Sequence, residues 1–264
     1  MLRPLPPRSR QTTSRSYVLE ATSNKATGFS QTIGAASTAV SYSYNANGDL
    51  TSDGLRIFRH DAEGRLATAA TGSDDASATT RYAHNALGQR VFKTEAVYPV
   101  QGTSGSALAA FFAKGWTPGT VDAEKLGYAF AYDEDGMLLS ETGMGGASSG
   151  GSTQYVYLPT PSGPMPVAAV INGVMYAVQS DHLNTPRRLT NGSGQVMWQL
   201  AYSAFGDEEP TTAAKRFTGP NTVPTTGTTT ATPVTLNLRW PGQYFDSESA
   251  LFFNWRNKRK DGRN

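Results

Sequence analysis

The sequence contains no cysteine, which excludes disulfide bonds, thiolate catalysis and cysteine-ligated zinc. Long apolar runs are also missing, because no segment reaches the roughly 18 apolar residues that a membrane-spanning helix needs. The N-terminus carries arginines and prolines with no apolar stretch after them, so the sequence does not predict a Sec signal peptide. We therefore expect a protein that is not an integral membrane protein.

Apolar residues and concentrated positive charge are scarce as well. Apolar residues make up 38% of the 264 residues, whereas there are 27 glycines and 15 prolines, a balance that favours short strands and turns over long helices. Nine of the 23 basic residues lie in the first 15 and the last nine positions, and 20 of the 21 acidic residues lie between them. Because the body of the chain is mildly acidic, we expect no nucleic-acid partner.

A nine-residue pattern recurs four times between residues 42 and 138. It has an aromatic residue, then an aromatic or histidine two positions on, then Asn or Asp, and a Gly three positions later. Aromatics two apart share one strand face, Asn or Asp can bond the backbone two residues on, and Gly tolerates positive φ. Each copy therefore predicts a β-hairpin that must stack edge to edge with its neighbours. The repeat positions are Tyr42, Tyr44, Gly48, Asp61, Gly64, Tyr82, Gly88, Tyr132, Asp133 and Gly136.

The region from residue 167 to Gly206 predicts an antiparallel meander. Asn172 and Gly173 separate two β-branched runs and favour a type I′ turn. A polar crossover follows, in which Asp181 and His182 could form a catalytic dyad or metal site, but we favour a turn-stabilising hydrogen bond from His182. Alternating apolar residues then place Trp198 on an inward face. The crossover residues are Asp181, His182, Leu183, Pro186 and Arg187.

The last aromatic-rich block runs from residue 236 to 254. Gly242 is expected to permit a turn into a strand that carries Gln243, Tyr244 and Asp246. Asp246 and Glu248 could form a catalytic carboxylate pair, but such a pair needs a pocket that shifts one pKa. We favour side chains that are solvated or paired with Arg187 or Arg239.

The repeats and these two later motifs, about fifty residues apart, resemble the Rhs family of bacterial proteins, which is related to the YD-repeat shells of Tc toxins and teneurins. The resemblance covers about residues 40–256 and implies an all-β ribbon, curled into part of a shell around a C-terminal toxin. Two departures stand out: Ser249 and Ala250 replace the usual Thr-Gly, and the Asp-Pro cleavage motif is absent after Asn254. An alanine held at positive φ there would cost about 1 kcal/mol.

The pattern and the resemblance together predict a domain organisation with very little helix, the one short helix candidate being residues 107–114. In chain order we expect a disordered basic arm (1–16), YD-repeat hairpins with a loop insertion near 101–125 (17–141), a Gly/Ser linker (142–153), an Rhs-associated core segment with a Thr/Pro-rich loop near 218–235 (154–256) and a basic tail (257–264).

The resulting expectation is a non-catalytic shell or core fragment, with no cofactor or metal site. Its partners would be the remaining Rhs shell and the C-terminal toxin of a longer protein, with secretion-apparatus components, such as type VI secretion, or cell-surface glycans as further candidates. It would act at the cell surface or after secretion in bacterial competition. Two alternatives stay open: a surface or carbohydrate-binding module, which outward-facing tyrosines would favour, and the remnant of a self-cleaving aspartyl autoprotease.

Overall fold

The computed structural model describes residues 13–74, 77–96, 126–145, 150–200, 210–212, 215–216, 225–226, 231–240 and 242–254. Within these ranges every regular element is a β-strand. The predicted all-β class, built from hairpins that pair edge to edge, is confirmed. The short helix candidate at 107–114, the loop insertion, Gly206 and the basic tail lie outside the described residues.

The chain divides into two compact units, residues 1–81 with 96–100 and residues 82–95 with 101–264. Strands of the first unit are β1 (Thr13–Leu19), β2 (Ala26–Ile33), β3 (Ala36–Ser41), β4 (Ser43–Tyr44), β5 (Leu50–Ser52), β6 (Phe58–His60) and β7 (Leu66–Ala70). The unit boundary falls within β8 (Thr79–His84).

In the first unit, β1, β2 and β3 form an antiparallel sheet in chain order. Tyr17 lies opposite Phe29 in the register of β1 and β2, and their ring centroids are 5.8 Å apart. Strand β1 begins at Thr13, so the last four residues of the expected basic arm are in a strand; pairing with β2 orders them.

The second unit contains the end of β8 and the later strands. These are β9 (Arg90–Thr94), β10 (Gly127–Tyr132), β11 (Leu138–Met144), β12 (Ser152–Leu158), β13 (Met165–Ile171), β14 (Val174–Ser180), β15 (Pro186–Thr190), β16 (Val196–Gln199), β17 (Lys215–Arg216), β18 (Thr225–Thr226), β19 (Gln243–Asp246) and β20 (Leu251–Asn254).

Strands β8 to β16 pair antiparallel in chain order, each with its sequence neighbour. Most of these strands are joined by short turns, and a short connection can only join adjacent antiparallel strands. The exception is the pair β9 and β10, which residues 95–126 separate in the sequence. The expected Gly/Ser linker is shorter than its predicted range, since β11 runs to Met144 and β12 begins at Ser152. Strands β19 and β20 form a separate hairpin, and β17 pairs with β18.

The core of the second unit lies between one face of the meander and the C-terminal stretch 231–254. Alternate residues of β12 to β16 supply the sheet side, as their spacing predicts, and Leu236, Leu238 and Tyr244 supply the other side. The amide of Phe245 donates to Asn237 O at 2.8 Å and the amide of Val234 donates to Met197 O at 3.1 Å. The C-terminal block is thereby attached to the meander through its backbone as well as its side chains.

Candidate functional site

Each of the four repeat copies ends in the same turn. The first residue of the turn is Asn45, Asp61, Asn85 or Asp133. Its side-chain oxygen accepts a hydrogen bond from the backbone amide four residues on. Its carbonyl oxygen accepts a hydrogen bond from the backbone amide three residues on. That third residue is Gly48, Gly64, Gly88 or Gly136, with φ between 74° and 88°. Only glycine adopts this conformation at little cost, so the repeat is built around its turn.

Two further turns of this kind lie where the sequence pattern showed no copy. The side chains of Asp181 and Asn191 accept from the amides of Thr185 and Gln195 at 3.0 Å. In the first of these turns Asn184, with φ 60°, takes the place of the glycine. Sequence reasoning missed these copies because the preceding strands lack the paired aromatics.

The polar crossover is therefore a repeat turn with one added ion pair. Asp181 Oδ2 pairs with Arg187 Nε at 2.7 Å, while its other oxygen accepts from the Leu183 amide at 2.9 Å. Pro186 is buried at the start of β15, and the Leu183 side chain is exposed. His182 is also exposed and makes none of the side-chain hydrogen bonds found in the described ranges, because Asp181 already accepts from the turn amides. The expected turn-stabilising bond from His182 is wrong.

The other predicted meander residues occupy defined places. Asn172 and Gly173 have φ of 52° and 79°, the values that a type I′ turn requires, and connect β13 to β14. Trp198 is 2% exposed in β16. The guanidinium of Arg239 lies 5.3 Å from the Trp198 ring and 5.1 Å from that of Phe245.

None of the four repeat tyrosines projects freely into solvent. Tyr82 is buried, and Tyr42, Tyr44 and Tyr132 are half-buried. The Tyr44 hydroxyl donates to Ala26 O at 2.7 Å, and that of Tyr132 donates to Arg90 O at 3.0 Å. Burial raises the pKa of Tyr132 to about 12.

The least ordinary feature of the second unit is a buried charge cluster, formed by Arg90, Lys93, Asp246 and Glu248. Arg90 Nη1 lies 2.5 Å from Asp246 Oδ2, and both side chains are 2% exposed. Lys93 Nζ lies 3.3 Å from Asp246 Oδ1 and 3.3 Å from Glu248 Oε1. The expected pairing of Asp246 with Arg187 or Arg239, or with solvent, is wrong, because the chain brings strand β9 to the C-terminal hairpin.

Arg90 is also enclosed by aromatic rings. Its guanidinium carbon lies 4.4 Å from the centroid of Phe253, 4.9 Å from those of Phe130 and Tyr244, and 5.3 Å from that of Tyr82. Its Nε and Nη2 have no hydrogen-bond partner within the ranges described. The electron-rich ring faces partly replace the lost hydration, which is how arginine tolerates such burial.

The electrostatics of the charge cluster follow from burial and pairing. Burial would lower the pKa of Arg90, but Asp246 raises it, so the guanidinium stays charged. Burial raises the pKa of Asp246 against the opposing effects of Arg90 and Lys93. Burial would also raise the pKa of Glu248, but Lys93 and other contacts lower it. The Tyr82 hydroxyl donates to Glu248 Oε1 at 2.9 Å.

A second buried acid, Glu141, lies beside this cluster across the ring of Tyr244. Its Oε1 accepts from the Tyr155 hydroxyl at 2.6 Å, and its Oε2 accepts from the Tyr244 hydroxyl and from Asn237 Nδ2, the latter at 3.3 Å. Burial raises the pKa of both tyrosines well above its usual range, so both remain donors. Tyr244 thus contacts both buried acidic networks.

The structure unites only part of the predicted site. Tyr82, Tyr244 and Asp246 meet in the charge cluster, and Gly242, with φ 74°, and Gln243 form the turn that leads into it. Sequence reasoning missed Arg90, Lys93 and Glu141. The sequence offered one weak indication, for Arg90 alone: it lies two residues after the repeat glycine Gly88, where the pattern allows an arginine.

Comparison with known proteins gives relatives of much greater length. The chain is 27% identical over 213 residues to the double-stranded DNA deaminase toxin A of Burkholderia cenocepacia (strain H111), covering 75% of this chain and 12% of that protein. A Tc holotoxin pore structure from Photorhabdus luminescens, in a TccC3 mutant form, shows a TM-score of 0.52 at 10% identity over 92% of this chain and 11% of that one. A TcdB2-TccC3-TEV structure gives 0.47 at 10% identity, over 92% and 11%.

No family model matches the chain. The likeness to the holotoxin structure shows that this chain shares a β-rich fold with part of that toxin. Helices that could cross a membrane are not found in the described part of the chain.

Proposed function

We propose that the chain is a non-catalytic segment of an Rhs shell that, with the rest of a longer protein, encloses or presents a C-terminal toxin. The observation that carries this proposal is the charge cluster, which joins repeat strand β9 to hairpin β19–β20. A container for a C-terminal cargo needs its end fixed to the repeat ribbon before the chain continues into the cargo. Arg90 and Asp246, 156 positions apart in sequence, provide that attachment.

The charge cluster is suited to attachment because buried ion pairs depend on geometry. Removing Asp246 would leave Arg90 buried without a counter-charge, and removing Arg90 would leave Asp246 with Lys93 alone. Both partners therefore hold the hairpin in one position and register. The aromatic rings around Arg90 add contacts from β8, β10, β19 and β20 to the same point. One arginine thereby fixes four strands relative to one another.

The same geometry favours a structural role for Asp246 over an autoprotease. Its two carboxylate oxygens contact Arg90 and Lys93, and the side chain is 2% exposed, so neither oxygen faces a substrate. The activity named for the deaminase toxin concerns a whole protein of which 12% aligns with this chain. Carbohydrate binding through the repeat tyrosines is not favoured either, because Tyr82 is buried and the other three are half-buried.

The proposal places the protein outside the producing bacterium, in competition with other cells. Its partners would be the remaining shell, the toxin and a delivery machine, for which type VI secretion is the candidate. Residues 181–187 and 238–246 would serve this role as structural turns, and the repeat turns as the joints of the ribbon.

The test uses the native protein, isolated with an antibody against residues 150–200. Peptide mapping should find peptides beyond residues 1–264, including a domain after the core segment. That domain should resist added protease in the wild type and become sensitive in an Arg90→Met variant, while Arg65→Met should leave it protected. A native protein with no further domain would refute the proposal, as would equal protection in the two variants.

A further inference from the structure

A cavity of about 310 Å³ opens beside the Glu141 network in the second unit. Its lining includes Glu141, Tyr128, Thr153, Asn172, Thr235 and Asn237, so that hydroxyls and amides surround one acid. Its size is at the lower end of the range for small-molecule sites. The proposed function makes no use of it.

Within the described ranges Glu141, unlike Asp246 and Glu248, has no cationic partner. It is 5% exposed, and its donors are the neutral groups of Tyr155, Tyr244 and Asn237. None of the salt bridges among the described residues includes it. A carboxylate offers about four lone-pair positions, so three hydrogen bonds leave it able to accept another.

Two glycines shape the wall of the cavity. A Cβ on Gly150 would lie 1.8 Å from the Tyr128 hydroxyl, and a Cβ on Gly151 would lie 1.9 Å from Asn172 Oδ1. The backbone therefore approaches both polar side chains more closely than any other residue would allow. Asn172 is further held by the Ser152 amide, which donates to its Oδ1 at 2.9 Å.

We propose that this cavity binds an ammonium or guanidinium group, which pairs with Glu141. The lone negative charge selects for a cation, because an anion would be repelled and a neutral group would leave the charge unbalanced. A metal ion fits less well, since no group of three metal-ligating side chains occurs in the described ranges. The oxygens of the neutral hydroxyls and amides around the acid would accept hydrogen bonds from the remaining N–H groups of the cation.

This inference is independent of the proposed shell role, because it concerns binding by the isolated chain. The probes are n-butylammonium and agmatine as free amines, acetyl-Gly-Lys-Gly-amide as a peptide carrying the same group, and n-butanol and the acetyl-lysine peptide as neutral counterparts. Calorimetry or NMR titration of the full chain should show binding of the cations and at least about tenfold weaker binding of the neutral forms. If the free amines bind more strongly than the lysine peptide, the ligand is a small amine; if the peptide binds more strongly, the ligand is a basic side chain of a polypeptide.

Two variants and a control assign the binding to the cavity. Glu141→Gln removes the charge, and Thr235→Trp blocks the cavity from an exposed position without altering Glu141. Each should weaken cation binding at least about tenfold, with circular dichroism spectra like the wild type for Thr235→Trp. Glu134→Gln, at an exposed acid of the same unit, should bind as the wild type does. Unchanged binding by Thr235→Trp, or equal binding of butanol and butylammonium, would overturn the inference.

Discussion

Two Arg–Asp pairs in this chain share their chemistry and differ in their surroundings. In the first unit, Arg65 Nε lies 2.7 Å from Asp61 Oδ2, with side chains 27% and 28% exposed. In the second unit, Arg90 and Asp246 lie 2.5 Å apart, and each side chain is only 2% exposed. The first pair closes a local turn that is already defined by backbone hydrogen bonds between Asp61 and both Gly64 and Arg65, and by amides that donate to Asp61 Oδ1. The second joins strand β9 to the C-terminal hairpin, 156 positions away in the sequence.

The comparison shows where an ion pair matters to this fold. Water screens the Asp61–Arg65 pair, and exposed pairs of this kind contribute about 0–1 kcal/mol. Desolvation makes the Arg90–Asp246 pair costly to form and more costly to break on one side only. The four predictions below test this contrast, starting with the largest expected effect.

Removing the buried arginine should be the most damaging change. Arg90→Met leaves Asp246 buried opposite Lys93 alone and should lower the free energy of unfolding by about 3–5 kcal/mol, measured by urea denaturation. Arg65→Met should change it by less than about 1 kcal/mol. The double variant Arg90→Met with Asp246→Leu should recover much of the loss. Similar losses for the two single variants would contradict the contrast.

Removing one hydroxyl from the Glu141 network should have an intermediate effect. Tyr244→Phe takes away a donor to a buried carboxylate and should cost about 1–3 kcal/mol of unfolding free energy. Tyr176→Phe is the matched control, because Tyr176 is equally a core tyrosine but makes no side-chain hydrogen bond within the described ranges. A larger loss in the control than in Tyr244→Phe would argue against the role assigned to Glu141.

One substitution should stabilise the protein. Ala250, which stands where the Rhs pattern has glycine, has φ 54°. Ala250→Gly should relieve that strain and raise the free energy of unfolding by about 0.5–1 kcal/mol. Ala131→Gly provides the opposite control: Ala131 is exposed in a strand and is not at positive φ, so glycine there should cost about 0.5–1 kcal/mol. Thermal unfolding midpoints that move in the same direction for both would refute the assignment.

The smallest effect is a pH dependence at the crossover turn. Burial alone would raise the pKa of Asp181, but hydrogen bonds from Thr185 and Arg187 lower it below its ordinary 3.8. Because the folded pKa lies below the unfolded one, the contribution of Asp181 is complete above pH 3.8 and disappears as pH falls through the folded pKa. Asp181→Asn should remove this dependence at a cost below about 1 kcal/mol. An unchanged acid-unfolding profile would count against it.

The turns were predictable because their causes are local. A side-chain oxygen that bonds amides two and four residues on, followed by a glycine at positive φ, needs only a few consecutive residues. The same logic placed Asn172–Gly173 between two strands and gave Trp198 an inward position. The prediction for His182 failed because the turn amides donate to the neighbouring Asp181 instead. The sequence does not indicate which of the two adjacent side chains accepts these hydrogen bonds.

The sequence by itself determined the all-β class, the hairpin units and the residues of their turns, because strand alternation and turn chemistry operate over a few residues. Tertiary structure alone decided that Arg90 and Lys93 meet Asp246 and Glu248, and that Glu141 lies under two tyrosines beside a cavity. These contacts join segments of the chain far apart in sequence, and burial then changes the energy of each charge. For these buried side chains, neither the charged partner nor the environment is encoded in the immediate sequence neighbours.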